Sequence, residues 1–201
     1  MVALLSLGAE IIPRTLAFDP PLTDDEFEDL CLRQDFIQFE RTSEGAIRMN
    51  APAGGLTGRG NIEILRQLAN WWETHQRGSA FDSNTGFFLP DGSMLSPDAA
   101  YVTPEQIEGL ANTALTGFPR LCPAFVMELL SATDSLAETQ RKMEVWIANG
   151  SQLAWLVDPY RKNVLVYQPG SPSLKIEAPQ IAGSGPVEGF TLDLTKVWRR
   201  Y

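Results

Sequence analysis

The stretch Phe125-Val126-Met127-Glu128-Leu129-Leu130 decides how this chain is read, together with the helical pattern that follows it to Gly150. Five of its six residues are apolar, as in a strand covered on both faces. Glu128 alone interrupts it. An unpaired carboxylate in such a strand costs several kcal/mol, roughly, so acids of this kind hold a metal, pair with a cation or share a proton. Downstream, Ser135-x-x-Glu138 has capping-box spacing, and Leu136, Met143, Trp146 and Ile147 supply one packing face. A helix therefore follows the strand and ends at Asn149-Gly150.

Toward the N-terminus, Leu95-Ser96-Pro97-Asp98-Ala99-Ala100-Tyr101-Val102 carries a second lone acid, Asp98. Phe87-Phe88-Leu89 and Met94-Leu95 enclose Pro90-Asp91-Gly92-Ser93, whose Asp-Gly suits a hairpin turn. That hairpin is expected to carry Asp98 on its second strand. Asp98 and Glu128 are 128 − 98 = 30 residues apart, on strands that can lie side by side.

Two carboxylates and a lysine suit phosphodiester hydrolysis. The reaction needs an activated water, neutralisation of charge on the phosphorus centre and help for the leaving oxygen. A divalent ion held by two carboxylates supplies much of this, and a nearby lysine positions or deprotonates the water or offsets the developing charge. Nuclease strands commonly carry that lysine two residues after the glutamate, where this chain has Leu130. Lys142 is the substitute, because it borders the packed face of the following helix and its long side chain can reach back. Arg141 and Gln140 are neighbouring alternatives. Simpler readings stand beside these. Pro97-Asp98 is a common turn dipeptide, and Glu138, at i−4 from Lys142, suits a surface ion pair. Asp158 before Pro159 reads as a turn-maker. Glu40 can join the site from an earlier hairpin, although Glu40-Arg41 reads more simply as an ion pair along a strand.

The rest of the chain reads as alternating helices and strands. Pro20 to Phe27 starts a helix with a Thr or Asp cap and acids in its first turn, ending near Gln34. Phe36–Arg41 and Ala46–Met49 flank Ser43-Glu44-Gly45 as a hairpin. Ala51–Gly60 is rich in glycine but lacks the Gly-Lys-Ser/Thr ending of a phosphate-binding loop, so a flexible loop beside a site is expected. Asn61–Gln76 is an amphipathic helix, with His75 in its last turn. A short helix or excursion begins at Thr103-Pro104. Leu153–Val157 and Val164–Tyr167 are strands, Pro169–Pro186 is expected to loop over the surface, and Phe190–Leu194 and the tail close the chain.

Composition bounds the reading. At 201 residues, 44% hydrophobic and 20% charged, the chain suits one globular domain and excludes a disordered one. The net charge of −9, from 25 acids against 16 Lys plus Arg, counts against a nucleic-acid surface unless a local basic groove or dimer cleft offsets it. Cys31 and Cys122 form no CxxC, which argues against a disulfide framework or structural zinc and for a reducing cytoplasm. With His75 the single histidine, any metal must be held by oxygens, which points to Mg2+ or Mn2+. The apolar start, Met1–Leu5, lacks the basic region of a signal peptide, and no run is long enough to span a membrane.

A set of motifs occurs in order: Phe39-Glu40-Arg41-Thr42-x-Glu44-Gly45, Pro52-Ala53-Gly54-Gly55-x-Thr57-Gly58, Phe81-Asp82-Ser83-Asn84-Thr85-Gly86-Phe87 and Ser96-Pro97-Asp98. Val126-Met127-Glu128-Leu129-x-Ser131-x-Thr133-Asp134, Lys142-Met143-x-x-Trp146-Ile147-x-Asn149-Gly150 and Trp155-Leu156-Val157-Asp158-Pro159 follow. Together they resemble the Uma family of restriction endonuclease-like proteins abundant in cyanobacteria, within the PD-(D/E)xK nuclease superfamily. The resemblance runs from about Leu22 to Trp198. It implies one α/β (α+β) domain over residues 1–201, with a mixed central sheet flanked by helices. It further implies a metal-dependent endonuclease acting on DNA, with Asp98 and Glu128 as ligands of Mg2+ or Mn2+ and Lys142 completing the catalytic set. A homodimer is the expected assembly, and five tryptophans offer it apolar surface. Family members often carry an acid where this chain has Ala124 and an arginine where it has Leu130. Two other functions are distinguishable by experiment: a non-catalytic DNA- or protein-binding module that keeps the fold, and a nucleotide-binding protein using the Gly54–Gly60 loop.

Overall fold

The computed structural model describes residues 15–34, 37–110 and 117–199. In chain order these form β1 (Thr15–Leu16), α1 (Asp24–Leu32), β2 (Gln38–Arg41), β3 (Ile47–Asn50), α2 (Gly55–His75) and β4 (Ser79–Asp82). Then come β5 (Phe87–Phe88), β6 (Met94–Leu95), β7 (Ala99–Val102), α3 (Pro104–Glu108), β8 (Phe125–Leu129) and α4 (Leu136–Ala148). The chain finishes with β9 (Leu153–Asp158), β10 (Asn163–Tyr167), β11 (Leu174–Ile176), β12 (Gln180–Ala182), β13 (Thr191–Asp193) and α5 (Leu194–Trp198).

The strands make a six-stranded sheet in the order β11-β10-β9-β8-β7-β4, a five-stranded sheet β1-β3-β2-β6-β5 and a two-stranded ribbon β12-β13. The β8–β9 pair is parallel, with Glu128 opposite Leu156, whereas the β7–β8 pair is antiparallel, with Ala99 opposite Met127. A parallel pair needs a crossover, and α4 supplies it. Strand alternation then divides the core. Phe125, Met127 and Leu129 pack with Ile64 and Leu68 of α2, whereas Val126 and Leu130 pack with Met143 and Trp146 of α4. The same alternation puts Glu128 on the α4 face. This is the mixed α+β sheet flanked by helices that the resemblance implied, although its strands fall into more than one sheet.

Several elements depart from their sequence-based expectations. The glycine-rich stretch is not all loop: Gly55–Gly60 forms the start of α2, six residues ahead of Asn61. A Cβ on Gly60 would sit 2.5 Å from Leu129 Cδ2, so the bare backbone lets α2 lie close against β8. Packing there overrides poor helix propensity. Residues 169–186 are not only surface loop, because β11 edges the large sheet and β12 pairs with β13. Asp98 lies just before β7, after the chain has left the β5–β6 hairpin for the other sheet, and not on that hairpin. Ser135 caps α4 without a side-chain hydrogen bond, and Glu138 is drawn away to Arg48 at 3.0 Å. By contrast Thr23 and Glu26 form a reciprocal box at the start of α1, with the Thr23 N–H donating to Glu26 Oε2 at 2.9 Å. Phe36, expected to open the first hairpin, lies outside the described residues.

None of the five tryptophans is exposed: Trp146 and Trp155 are buried and Trp71, Trp72 and Trp198 half-buried. Indole exposure therefore gives no argument for a dimer. No helix among the described residues is long and apolar enough to cross a membrane.

The close approach at Gly60 separates two glycines of one helix. Gly60→Ala is expected to destabilise the protein by about 1 kcal/mol, because displacing Leu129 outweighs the gain in helix propensity. Gly58→Ala, whose Cβ meets nothing within 4 Å, is expected to stabilise it by about 0.5–1 kcal/mol. Urea unfolding of both variants measures the two signs.

Candidate active site

Four elements converge where the chain passes between its sheets. Asp98 precedes β7, Glu128 is the fourth residue of β8, Lys142 lies midway along α4, and Glu40 is on β2 in the other sheet. Lys142 follows the helical repeat that buries Met143 and Trp146, so its base is packed while its side chain extends along the α4–β8 boundary. Its ammonium is 2.8 Å from Glu128 Oε1 and 2.7 Å from Glu40 Oε1, and it donates to the Ser96 carbonyl at 2.8 Å. The Lys142 side chain is 17% exposed, and those of Glu40 and Glu128 are 6% and 8% exposed.

Other donors fix each acid. Trp146, one turn after Lys142, donates its indole N–H to Glu128 Oε1 at 3.0 Å. The Ser96 N–H donates to Glu40 Oε1 at 3.1 Å. Asp98 is clamped from both sides: its Oδ2 accepts from the Leu129 N–H at 2.6 Å and its Oδ1 from the Asn61 amide at 2.8 Å. The Leu129 contact ties Asp98 to the strand that carries Glu128, although the two acids stand 30 residues apart in sequence (128 − 98).

The charges are unequal. Two carboxylates share one ammonium, and Asp98 stands close enough to repel the nearer of them. Burial, joined by the charges of Asp98 and Glu40 and opposed by Lys142, pushes the Glu128 carboxyl up to about 8. Burial also raises Asp98, against the pull of the Leu129 N–H and Lys142. For Glu40 burial acts the same way, but the Lys142 ammonium and the Ser96 N–H outweigh it and hold this carboxyl below its ordinary value. Burial disfavours the Lys142 charge, yet Glu128 and Glu40 reverse the balance and raise it above its ordinary value. The cluster is thus lopsided: Lys142 holds the Glu40 carboxyl down, while Glu128 is the acid that more readily keeps a proton. An added cation would favour its ionised form.

The structure brings Asp98, Glu128 and Lys142 together. Leu130 lies on the same α4-facing side as Glu128, packed with Met143 and Trp146, so the usual lysine position is filled by apolar packing. Arg141 is exposed, and Gln140 reaches Tyr167 instead. Glu40 does not pair with Arg41: it binds Lys142, while Arg41 pairs with Asp24 and donates to the Gly92 carbonyl at 2.7 Å. Glu138 binds Arg48, not Lys142. Asp158 is a turn residue, its Oδ1 accepting from the N–H groups of Tyr160 and Arg161 at 2.9 Å each. The roles of Ser96, Asn61 and Trp146 were not read from sequence. Trp146 stands at i+4 from Lys142, and that spacing was the available signal.

Among the described residues no three His, Cys, Asp or Glu side chains form a metal cage. The donor set nevertheless suits a hard divalent cation: Asp98 and Glu128 are oxygen donors near enough for their charges to repel, with no competing soft ligand. Both recorded Glu128 contacts fall on Oε1, which favours Oε2 as the oxygen available to an ion.

The sequence profile of the Uma2 family, described as a putative restriction endonuclease, matches residues 24–195. That span includes every residue of the cluster. Among solved structures, a putative nuclease from Anabaena variabilis superposes with a TM-score of 0.72 at 20% identity, covering 89% of this chain and 98% of that one. At that identity the likeness establishes the fold. No curated protein matches the chain.

The raised Glu128 carboxyl has a signed consequence for stability. Its unfolded value is 4.5 and its folded value about 8, so between them the folded protein binds more protons than the unfolded one. Stability from this group is full below the lower value and declines as pH rises to the upper. Glu128→Gln, which keeps a neutral side chain at every pH, is expected to flatten that decline. Thermal midpoints of both proteins without metal, taken across this window, should diverge toward its alkaline end. Parallel curves would contradict the protonated state assigned to Glu128.

Proposed function

The chain belongs to the Uma2 family of putative restriction endonucleases, and on that premise we propose that it hydrolyses DNA phosphodiester bonds at the Asp98–Glu128–Lys142 cluster with Mg2+ or Mn2+ as cofactor. The observation that carries this reading is the reach of Lys142 from α4 to Glu128 at 2.8 Å. A lysine thereby stands beside the strand glutamate although Leu130 occupies the usual position.

Asp98 and Glu128 are the residues that would hold the ion. When bound, the ion supplies Lewis acidity toward a phosphoryl oxygen and lowers the pKa of a coordinated water. The chain's own groups have separable tasks. The Leu129 N–H and the Asn61 amide fix the Asp98 carboxylate, so little orientation is lost when it takes a ligand. Trp146 holds Glu128 Oε1 in place. Lys142, kept cationic by two carboxylates, is suited to offset negative charge at phosphorus and not to accept a proton. Glu40 and the Ser96 carbonyl restrain its ammonium. Glu128 loses its proton when a cation binds, so proton release accompanies ion uptake.

The reading is tested first without a substrate. Calorimetry with Mn2+, alone and with duplex DNA, is expected to show binding that Asp98→Asn and Glu128→Gln each abolish while circular dichroism stays unchanged. Lys142→Met should retain binding and lose cleavage of plasmid DNA by about 100-fold or more. No binding at millimolar Mn2+, with or without DNA, would replace the reading with that of a non-catalytic module.

A further inference from the structure

Asn61 lies in the seventh position of α2, next to the glycine that brings this helix against Leu129. Its amide orientation is set by chemistry: the NH2 must face Asp98 Oδ1, because the reverse would press a carbonyl oxygen against a carboxylate. The carbonyl oxygen Oδ1 is then the branch of the amide that does not donate to Asp98. It is buried and has no hydrogen-bond partner among the described residues. An unsatisfied buried acceptor costs about 1–3 kcal/mol, and native proteins rarely leave one without a ligand, water or ion to relieve it.

What relieves it must be electropositive. A phosphate or a base carbonyl offers only acceptors and is excluded by its own lone pairs. Beside Asp98 the local field is negative, which favours a cation over a neutral donor. Amide carbonyl oxygens are ordinary ligands of hard divalent ions, alongside carboxylates. The backbone around Asn61 is restrained by helix packing at Gly60, so the oxygen is held in place before a ligand arrives.

We propose that the Asn61 amide oxygen is a direct ligand of the divalent cation, joining Asp98 and Glu128. The inference rests on the metal-dependent reading given above and adds a third protein oxygen to it. It also assigns the two ends of one side chain different tasks: Nδ2 orients Asp98, and Oδ1 meets the ion. The set of two acids and an amide is less negative than a three-carboxylate cage. It therefore favours an ion that still carries phosphate oxygens as further ligands.

Terbium serves as the probe ion, because it takes hard oxygen ligands and its luminescence lifetimes in H2O and D2O count bound waters. Asn61→Ala is expected to gain one bound water relative to wild type and to weaken Mn2+ binding about tenfold. Asn61→Asp is expected to tighten Mn2+ binding, since it keeps an oxygen at the position and adds charge. If Asn61 only orients Asp98, both variants weaken binding and the water count stays constant, which overturns the inference. Unchanged binding and hydration in Asn61→Ala overturn it too, while Asp98→Asn still abolishing binding leaves the nuclease reading intact. Binding retained in Asp98→Asn, or absent in wild type, defeats that reading and the inference together. Thermal midpoints of each variant confirm that the comparison is made on folded protein.

Discussion

The Lys142 ammonium is the centre on which the rest of the site depends. Among the described residues it is the one cation paired with two buried carboxylates, Glu40 and Glu128, and each comes from a different sheet. Removing it would leave both acids buried without a counter-charge, which is costlier than the pair is stabilising. The arrangement explains why the Glu40 carboxyl is held down while the Glu128 carboxyl is pushed up: one positive charge serves two buried acids. Ser96 joins the two halves by giving its N–H to Glu40 and its carbonyl to Lys142, with Asp98 two residues on. The short crossing between sheets is thus also the scaffold of the cluster.

The acidic balance of the whole chain, −9, looks adverse for a protein that handles DNA. At the cluster it is less so. A site built from acids needs a divalent ion before a phosphate can approach, so ion binding and substrate binding are coupled by charge. Attraction from the average surface is weak in such a protein. Under the proposed nuclease function, affinity for DNA would depend on the ion and on Lys142, and would fall with salt as those contacts do.

Much of this was legible in sequence for identifiable reasons. Glu128 stood out because five apolar neighbours left no surface for it. Lys142 was recoverable because Met143 and Trp146 fixed the helix register. Asp98 is legible as a lone acid, but not its place in the sheets: β6 has two residues, and the chain changes sheets before β7. Glu40 reads most simply as the ion-pair partner of Arg41, since a partner 142 − 40 = 102 residues away leaves no local trace. The glycines of Gly55–Gly60 signalled a loop by propensity, and only the nearness of Leu129 explains why they begin a helix. Ser135 and Glu138 matched a capping box by spacing, but Arg48 of β3 takes the glutamate. Each miss is a tertiary contact prevailing over a local preference.

The separation of Glu40 from Lys142 also governs the order in which the cluster can come into being. Synthesis passes Glu40, Asn61, Asp98 and Glu128 before the one cation that reconciles them appears. Until α4 has formed, two buried acids have no counter-charge, and the two sheets lack their shared ammonium. The cluster is therefore dominated by long-range contacts and is complete only once α4 is in place. A nascent or truncated chain ending before Lys142 carries the acids without the completed centre. The cluster is thus complete only in a chain that extends through α4, so its acids and their counter-charge arrive as parts of one nearly whole polypeptide.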